Sequence, residues 1–177
     1  FYTPANGFSQ LHLCRRYGKL HILKSLQPFY SSQEFYKQLL LKEFNIGYQL
    51  DHPNIRHTLG WEKNDLLGNY IVLEYIDGIP LTTFIEQGKL TQPLAYKFIT
   101  EICNALQYIH SKQLIHKDLK PNNILITHNG NNVKLIDFGL ADCDDYEILK
   151  IPAGTEKYLA PEQLNPKATL DCRTDIY

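Results

Sequence analysis

His116-Lys117-Asp118-Leu119-Lys120-Pro121-Asn122-Asn123 places a carboxylate, two lysines and two amides side by side. The stretch follows a pattern in which Leu94, Phe98, Ile102, Leu106 and Ile109 recur at helical spacing. That stripe predicts a core-facing helix rather than a cofactor box. Thr91 is its expected cap, and Pro93 falls in its first turn. After the stretch come Ile124-Leu125-Ile126, then His128-Asn129-Gly130-Asn131, then Val133 to Ile136. Asn-Gly between two apolar runs predicts a hairpin. Asp137-Phe138-Gly139 leaves its far arm. A hairpin brings together the residues that flank its arms, so Asp118, Asn123 and Asp137 are expected to converge.

Such a convergence has a definite chemistry. A carboxylate and an amide oxygen at the two ends of a hairpin suit Mg²⁺, which takes oxygen ligands and keeps waters or phosphates in its shell. A second carboxylate beside the metal can orient a hydroxyl and accept its proton. Lys120, two residues after Asp118, would meet a transferring phosphoryl group. Positioning and charge neutralisation do most of the work in phosphoryl transfer, and this set supplies both.

Upstream, Phe8 to Arg16 and Lys19 to Leu26 read as two strands around Tyr17-Gly18, with Leu20, Ile22 and Lys24 on one face of the second. Pro28 ends that strand. Ser31 and Glu34 form a capping-box pattern ahead of a helix through Phe35, Leu39, Glu43 and Ile46 to about Leu50. Gly47 weakens that helix by about 1 kcal/mol relative to alanine. Asp51-His52-Pro53-Asn54 closes it with a turn. Ile55 to Trp61 and Asn69 to Ile76 read as two more strands, and Asp77-Gly78 breaks the second. The expected division is a sheet-rich lobe over residues 1–76 and a helical one over 77–177, with a hinge at 74–78. Leu81 to Gln87 reads as a short helix with Gly88 past its end.

The chain has 177 residues, 44% hydrophobic and 21% charged, with a net charge of -1. That is the composition of a soluble globular protein, and it argues against nucleic acid or an anionic membrane as the main partner. No apolar run approaches the ~18 residues of a spanning helix, and no secretory leader opens the chain. Cys14, Cys103, Cys143 and Cys172 form no CxxC pair and no metal-ligand spacing. Their expected state is the free thiol of a reducing, cytoplasmic compartment.

His116 to Asn123 resembles the catalytic loop of protein kinases, H-R-D-L-K-P-x-N, and Asp137-Phe138-Gly139 resembles their metal-binding DFG. Gly154-Thr155 and Ala160-Pro161-Glu162 are similar to the end of the family's activation segment, in the family's order. The resemblance covers essentially the whole chain. It implies an α+β, two-lobe kinase-like fold, with a small antiparallel-sheet lobe bearing one helix and an incomplete, mainly helical lobe. It also implies an ATP- and Mg²⁺-dependent serine/threonine protein kinase acting on a protein substrate. Asp118 would take the substrate proton, Lys120 would steady the γ-phosphate, and Asn123 and Asp137 would hold magnesium. Lys24 would hold the α- and β-phosphates, and Glu43 would hold Lys24. Backbone groups at Glu74 and Ile76 would meet the adenine edge, with Leu73 behind it and Leu125 as the floor. Asn6, Gly7, Phe8, Ser9 and Leu11 would form the phosphate cover. Thr155 would brace Asp118 and Lys120, and Asp175 would hydrogen-bond the catalytic-loop backbone.

The departures from the family are specific. Pro4, Asn6 and Ser9 stand where three glycines are usual. Ile22 replaces the small residue that lines the adenine site. Gly47 leaves a gap one turn after Glu43, where a large apolar residue usually locks the helix. Lys117 replaces an arginine that grips phosphate bidentately, which lysine does not do. Asp144, Asp145 and Glu147, around Tyr146, are expected to neutralise Lys117 without phosphorylation. The chain stops at Tyr177, which reads as a lobe truncated at the start of its central helix. Apolar faces such as Leu94 to Ile109 would then be partly uncovered and invite a dimer, and Asp175 would sit near a frayed end. A catalytically weak or inactive kinase-like regulatory module is the alternative these departures leave open. A small-molecule kinase normally lacks the Gly-Thr and Ala-Pro-Glu pair.

Overall fold

The structure is a computed structural model that describes residues 7–139, 141, 156–165 and 167–177. The expectations for Pro4, Asn6, Asp144, Asp145, Tyr146, Glu147, Gly154 and Thr155 lie outside the described residues. The chain divides into two compact units. The first takes the described residues through Asp51 together with Arg56–Ile76. The second takes His52–Ile55 and the described residues from Asp77 onward.

The first unit holds β1 (Ser9–Arg16), β2 (Lys19–Leu26), α1 (Glu34–Tyr48), β3 (Thr58–Asn64) and β4 (Gly68–Glu74). The strands form one antiparallel sheet in the order β1-β2-β4-β3. Arg16 pairs with Lys19, and Tyr17 and Gly18 between them have φ of 50° and 79°. Two left-handed residues make the tight turn whose twist suits a right-handed ribbon. The core is Leu26, Leu40, Ile71 and Leu73, with Phe8, Ile22, Tyr36, Phe44 and Trp61 packed around it. Burying each aliphatic side chain contributes about 1.5–3 kcal/mol, so Leu40, at 1% exposure, is a position where truncation to alanine would be felt.

Three local expectations change here. Ser31 does not cap α1: its Oγ donates to Pro28 O at 2.8 Å, because the chain makes a turn after β2 and the helix starts only after Gln33. The buried face of α1 is Leu40, Glu43, Ile46 and Gly47, whereas Phe35 is 38% exposed. Third, β3 begins at Thr58 rather than Ile55, because Asn54 and Ile55 bind the second unit.

Gly47 leaves no gap. A Cβ there would collide with Thr58 Oγ1 and stand 3.3 Å from Thr58 Cβ. Helix α1 therefore approaches β3 as closely as a bare Cα allows, and Thr58 occupies the space that a larger side chain would take.

The second unit holds β5 (Gly78–Pro80), α2 (Leu81–Glu86), α3 (Gln92–Ser111), β6 (Ile124–Thr127) and β7 (Val133–Leu135). Its sheet runs β5-β6-β7, all antiparallel. Short 3₁₀ turns lie at Pro121–Asn123, Glu156–Tyr158, Pro161–Leu164 and Cys172–Asp175. Gly88, at φ 66°, ends α2 by donating to Ile85 O while Lys89 N donates to Phe84 O, a Schellman closure. Thr91 precedes α3 as expected, but its hydroxyl makes no cap bond. In the α3 stripe Phe98, Leu106 and Ile109 are buried, while Leu94 and Ile102 are half-buried.

The expected division at residue 76 puts His52–Ile55 in the first lobe, and the structure groups them with the second. Asn54 is the reason. Its Nδ2 donates to Val133 O at 2.9 Å, and its carbonyl accepts from Leu135 N at 2.7 Å. Ile55 adds a parallel bridge to Leu135. Among the described residues no helix is long and apolar enough to cross a membrane.

Candidate active site

Lys24 lies on β2 and Glu43 on α1, and their side chains meet inside the first unit. Lys24 Nζ donates to Glu43 Oε1 at 2.6 Å, with both side chains only 6% exposed. Strand alternation turns Lys24 inward from the middle of β2, where it pairs in register with Leu11 and Ile71. Glu43 reaches it from the buried face of α1. Ile22 and Leu73 are cross-strand neighbours, so the bulky residue at position 22 packs beside the buried Leu73. Phe8 packs on Tyr36 with ring centroids 5.3 Å apart, and Gln27 fixes the Gly7 carbonyl at 2.6 Å. Ser9 starts β1 in register with Leu26. Glu74, in register with His21 across the sheet, donates its N–H to His57 O, and its carboxylate accepts from His57 N at 3.0 Å. Ile76 is half-buried just past β4.

In the second unit the loop before β6 is a dense hydrogen-bonded knot. Lys120 Nζ stands 2.8 Å from each oxygen of the Asp118 carboxylate. Asn123 Nδ2 donates to Asp118 Oδ2 at 2.7 Å and to Asp118 O at 2.9 Å. That use of the amide nitrogen leaves Asn123 Oδ1, an oxygen, to meet a cation. The hairpin of β6 and β7 pairs Ile124 with Leu135, and Ile136 N donates to Asn123 O at 3.0 Å. Asp137 therefore follows directly on the residue bonded to Asn123, as the flanks of a hairpin require. Asp137 has φ 67°, and its Oδ1 accepts from Gly139 N at 3.3 Å. Leu125, in register with Pro80 and Lys134, is half-buried.

The loop is braced from beneath. His116 is fully buried against Phe138, with ring centroids 4.9 Å apart. Its Nδ1 accepts from Asp118 N at 3.3 Å, so the ring proton is on Nε2 and points to Ile136 O, also at 3.3 Å. Asp175 is buried rather than frayed. Its two carboxylate oxygens accept from His116 N and Lys117 N, each at 2.8 Å, and His110 Nε2 lies 2.8 Å from Oδ2. Sequence reading missed Gln163, whose buried amide bonds to Lys117 O at 2.8 Å. It also missed the fit of Gly47 to Thr58. Neither has a periodic signal, because each joins segments distant along the chain.

Residues 7–177 match the family described as Protein kinase domain. This chain belongs to that family. The kinase domain is 41% identical over 143 residues to calcium-dependent protein kinase 5 of Plasmodium falciparum, covering 78% of this chain and 24% of that protein. It is 35% identical to serine/threonine-protein kinase ppk25 of Schizosaccharomyces pombe, covering 77% and 32% respectively. It is 33% identical to a probable serine/threonine-protein kinase of Clostridium perfringens, covering 93% and 24%. The kinase domain thus spans a quarter to a third of the length of these curated relatives. The α+β fold, with an antiparallel sheet and one helix in the first unit, is that of the family.

Proposed function

We propose that this chain catalyses ATP- and Mg²⁺-dependent phosphorylation of serine or threonine hydroxyls on a protein substrate. The observation that carries the reading is the Asp118 carboxylate, held by Lys120 at 2.8 Å and by Asn123 at 2.7 Å. A carboxylate pinned this way can align a hydroxyl, accept its proton and keep its geometry throughout. The substrate oxygen then bonds to the γ-phosphorus while the bond from that phosphorus to the β,γ-bridging oxygen breaks, and ADP leaves.

Asn123 Oδ1 and the Asp137 carboxylate make an all-oxygen donor set, and two protein oxygens suit Mg²⁺, which fills its shell with waters and phosphates. Bound there, the cation would neutralise charge on the phosphate oxygens. Lys24 would hold the α- and β-phosphates, and Glu43 keeps its ammonium in place. Lys120 would steady the γ-phosphate as it moves. Gly7, Phe8, Ser9 and Leu11 would cover the phosphates; Ile22, Leu73, Glu74, Ile76 and Leu125 would hold the base. The lysine in Asp-Leu-Lys-Pro and the names of the relatives support serine and threonine over tyrosine. The intact Lys24–Glu43 pair supports a catalytic over a purely regulatory role.

Asp118→Ala tests this in the full-length protein. Labelled-phosphate transfer should fall by about 10²–10⁴-fold, the worth of a positioned general base. Stabilisation by Mg-ATP in a thermal-shift assay should persist. Transfer at near wild-type rate would sink the assignment.

A further inference from the structure

Lys117, the residue before Asp118, has φ 64°. A residue with a Cβ adopts that left-handed conformation only at a cost, and keeps it when its surroundings hold it. Asp175 holds the Lys117 N–H. The Lys117 carbonyl is held by Gln163, whose Nε2 donates to it at 2.8 Å. This carbonyl belongs to the peptide whose N–H is that of Asp118, and that N–H donates to His116 Nδ1. The 117–118 peptide is thus gripped on both edges, by Gln163 at its oxygen and by His116 at its nitrogen.

Gln163 is only 7% exposed, and its other amide atom is also used: Oε1 accepts from Ala160 N at 3.0 Å. One rigid amide therefore ties Ala160 to the peptide of the Asp118 loop. Ala160 opens the 3₁₀ turn Pro161–Leu164, which Gln163 N closes onto Ala160 O at 2.9 Å. Thr174 Oγ1 anchors the same turn through Glu162 Oε1 at 2.9 Å. Rotation of the 117–118 peptide would swing the Asp118 carboxylate, and Gln163 resists that rotation from outside the loop.

We propose that Gln163 is a positioning residue for Asp118, setting the aim of its carboxylate by holding the Lys117 carbonyl from the Ala160 turn. The proposal rests on the kinase reading for its effect on rate, and on geometry alone for its effect on the peptide.

The test is Gln163→Glu, with Gln163→Leu beside it, in the full-length protein. Glutamate keeps the acceptor for Ala160 N–H. Opposite Lys117 O it can donate only when protonated, and it repels when ionised. The kcat of Gln163→Glu should therefore acquire a limb that falls with rising pH and is absent from the wild type, while KM for ATP stays within about twofold of wild type. Lys117, Asp118, Lys120, Glu162 and Asp175 are common to both proteins, so a new limb belongs to residue 163. Gln163→Leu should lower kcat by about tenfold to a hundredfold, the scale of a small misplacement of a catalytic group. Hydrogen exchange at the Asp118 amide should accelerate in both variants, and in Gln163→Glu only at the higher pH.

A kcat–pH profile for Gln163→Glu parallel to wild type, or unchanged exchange at Asp118, would overturn the proposal. If Gln163→Leu does not fold, the glutamate profile alone decides. If the wild type transfers no phosphate, the kinase reading fails, and exchange at Asp118 still decides the role of Gln163.

Discussion

Two lysine–carboxylate pairs lie at the heart of this chain, and they are built in opposite ways. Lys24 and Glu43 are 19 residues apart, come from a strand and a helix, and are buried to 6% exposure. Lys120 and Asp118 are two residues apart on one loop, at 20% and 11% exposure. The first pair exists because a sheet and a helix pack; its geometry is a product of tertiary structure. The second exists because a backbone is bent, and its geometry is a product of hydrogen bonds to that backbone. Packing can therefore fail at the first pair and leave the second untouched, and the reverse also holds.

The largest difference should appear when one partner is removed. Glu43→Ala leaves an ammonium buried without its carboxylate, which typically costs about 3–5 kcal/mol. Lys120→Ala removes one partner of a partly buried carboxylate that keeps the Asn123 amide at 2.7 Å, and should cost less. Denaturant unfolding of the full-length variants should separate them by several-fold in lost stability. Lys24→Met with Glu43→Leu should recover most of the stability of Glu43→Ala, because buried ion pairs and apolar replacements are often near equal. Equal losses for Glu43→Ala and Lys120→Ala would erase the distinction between the pairs.

The same contrast explains what could be read from residues alone. The two hairpins are legible because Tyr17-Gly18 sits between two alternating runs and Asn129-Gly130 between two apolar ones, and turn chemistry is local. The meeting of Asn123 with the start of the Asp137 segment follows from the second hairpin. Lys24 and Glu43 are legible only through the family's pattern, since no local rule joins residue 24 to residue 43. The start of α1 was misjudged because Ser31 had a nearer acceptor in the Pro28 carbonyl. Gln163 and Thr58 were invisible for a deeper reason: each acts on a backbone elsewhere, and a side chain's identity does not say which backbone it will touch.

Gly47 sharpens the comparison at the next level of effect. Read as a missing side chain, it predicts that Gly47→Leu fills a hole and stabilises. Read from the approach of α1 to Thr58, it predicts overpacking and a loss of about 1–3 kcal/mol. Relief of that loss by Thr58→Gly in the double variant would locate the clash. Denaturation midpoints for the three proteins distinguish the outcomes, and a stabilising Gly47→Leu would restore the gap. Because Glu43 lies one turn earlier on the same helix, nucleotide affinity in Gly47→Leu should fall alongside stability, while Asp118 keeps its partners.

The smallest effect concerns the second unit alone, through His52. Burial, and then the positive charge of Lys134, hold its pKa below the ordinary histidine value of about 6.5. Its Nδ1 accepts from Asn54 N at 3.1 Å, and its ring lies 5.2 Å from that of Tyr108. Because the folded value is depressed, the unfolded chain binds the proton more readily. The contribution is whole above the unfolded value and is lost as pH falls through the folded one. Asn54 in turn holds Val133 and Leu135, the strand that leads to Asp137. Acidification from pH 8 towards 5 should therefore lower the exchange protection, relative to the intrinsic rate at each pH, of the Leu135 amide, whose N–H is bonded to Asn54 O, more than that of Ile71 beside Lys24. His52→Asn, which keeps an acceptor but does not titrate, should flatten the Leu135 response. If Ile71 and Leu135 respond alike in wild type and variant, the two regions share one acid response, and His52 does not govern the second.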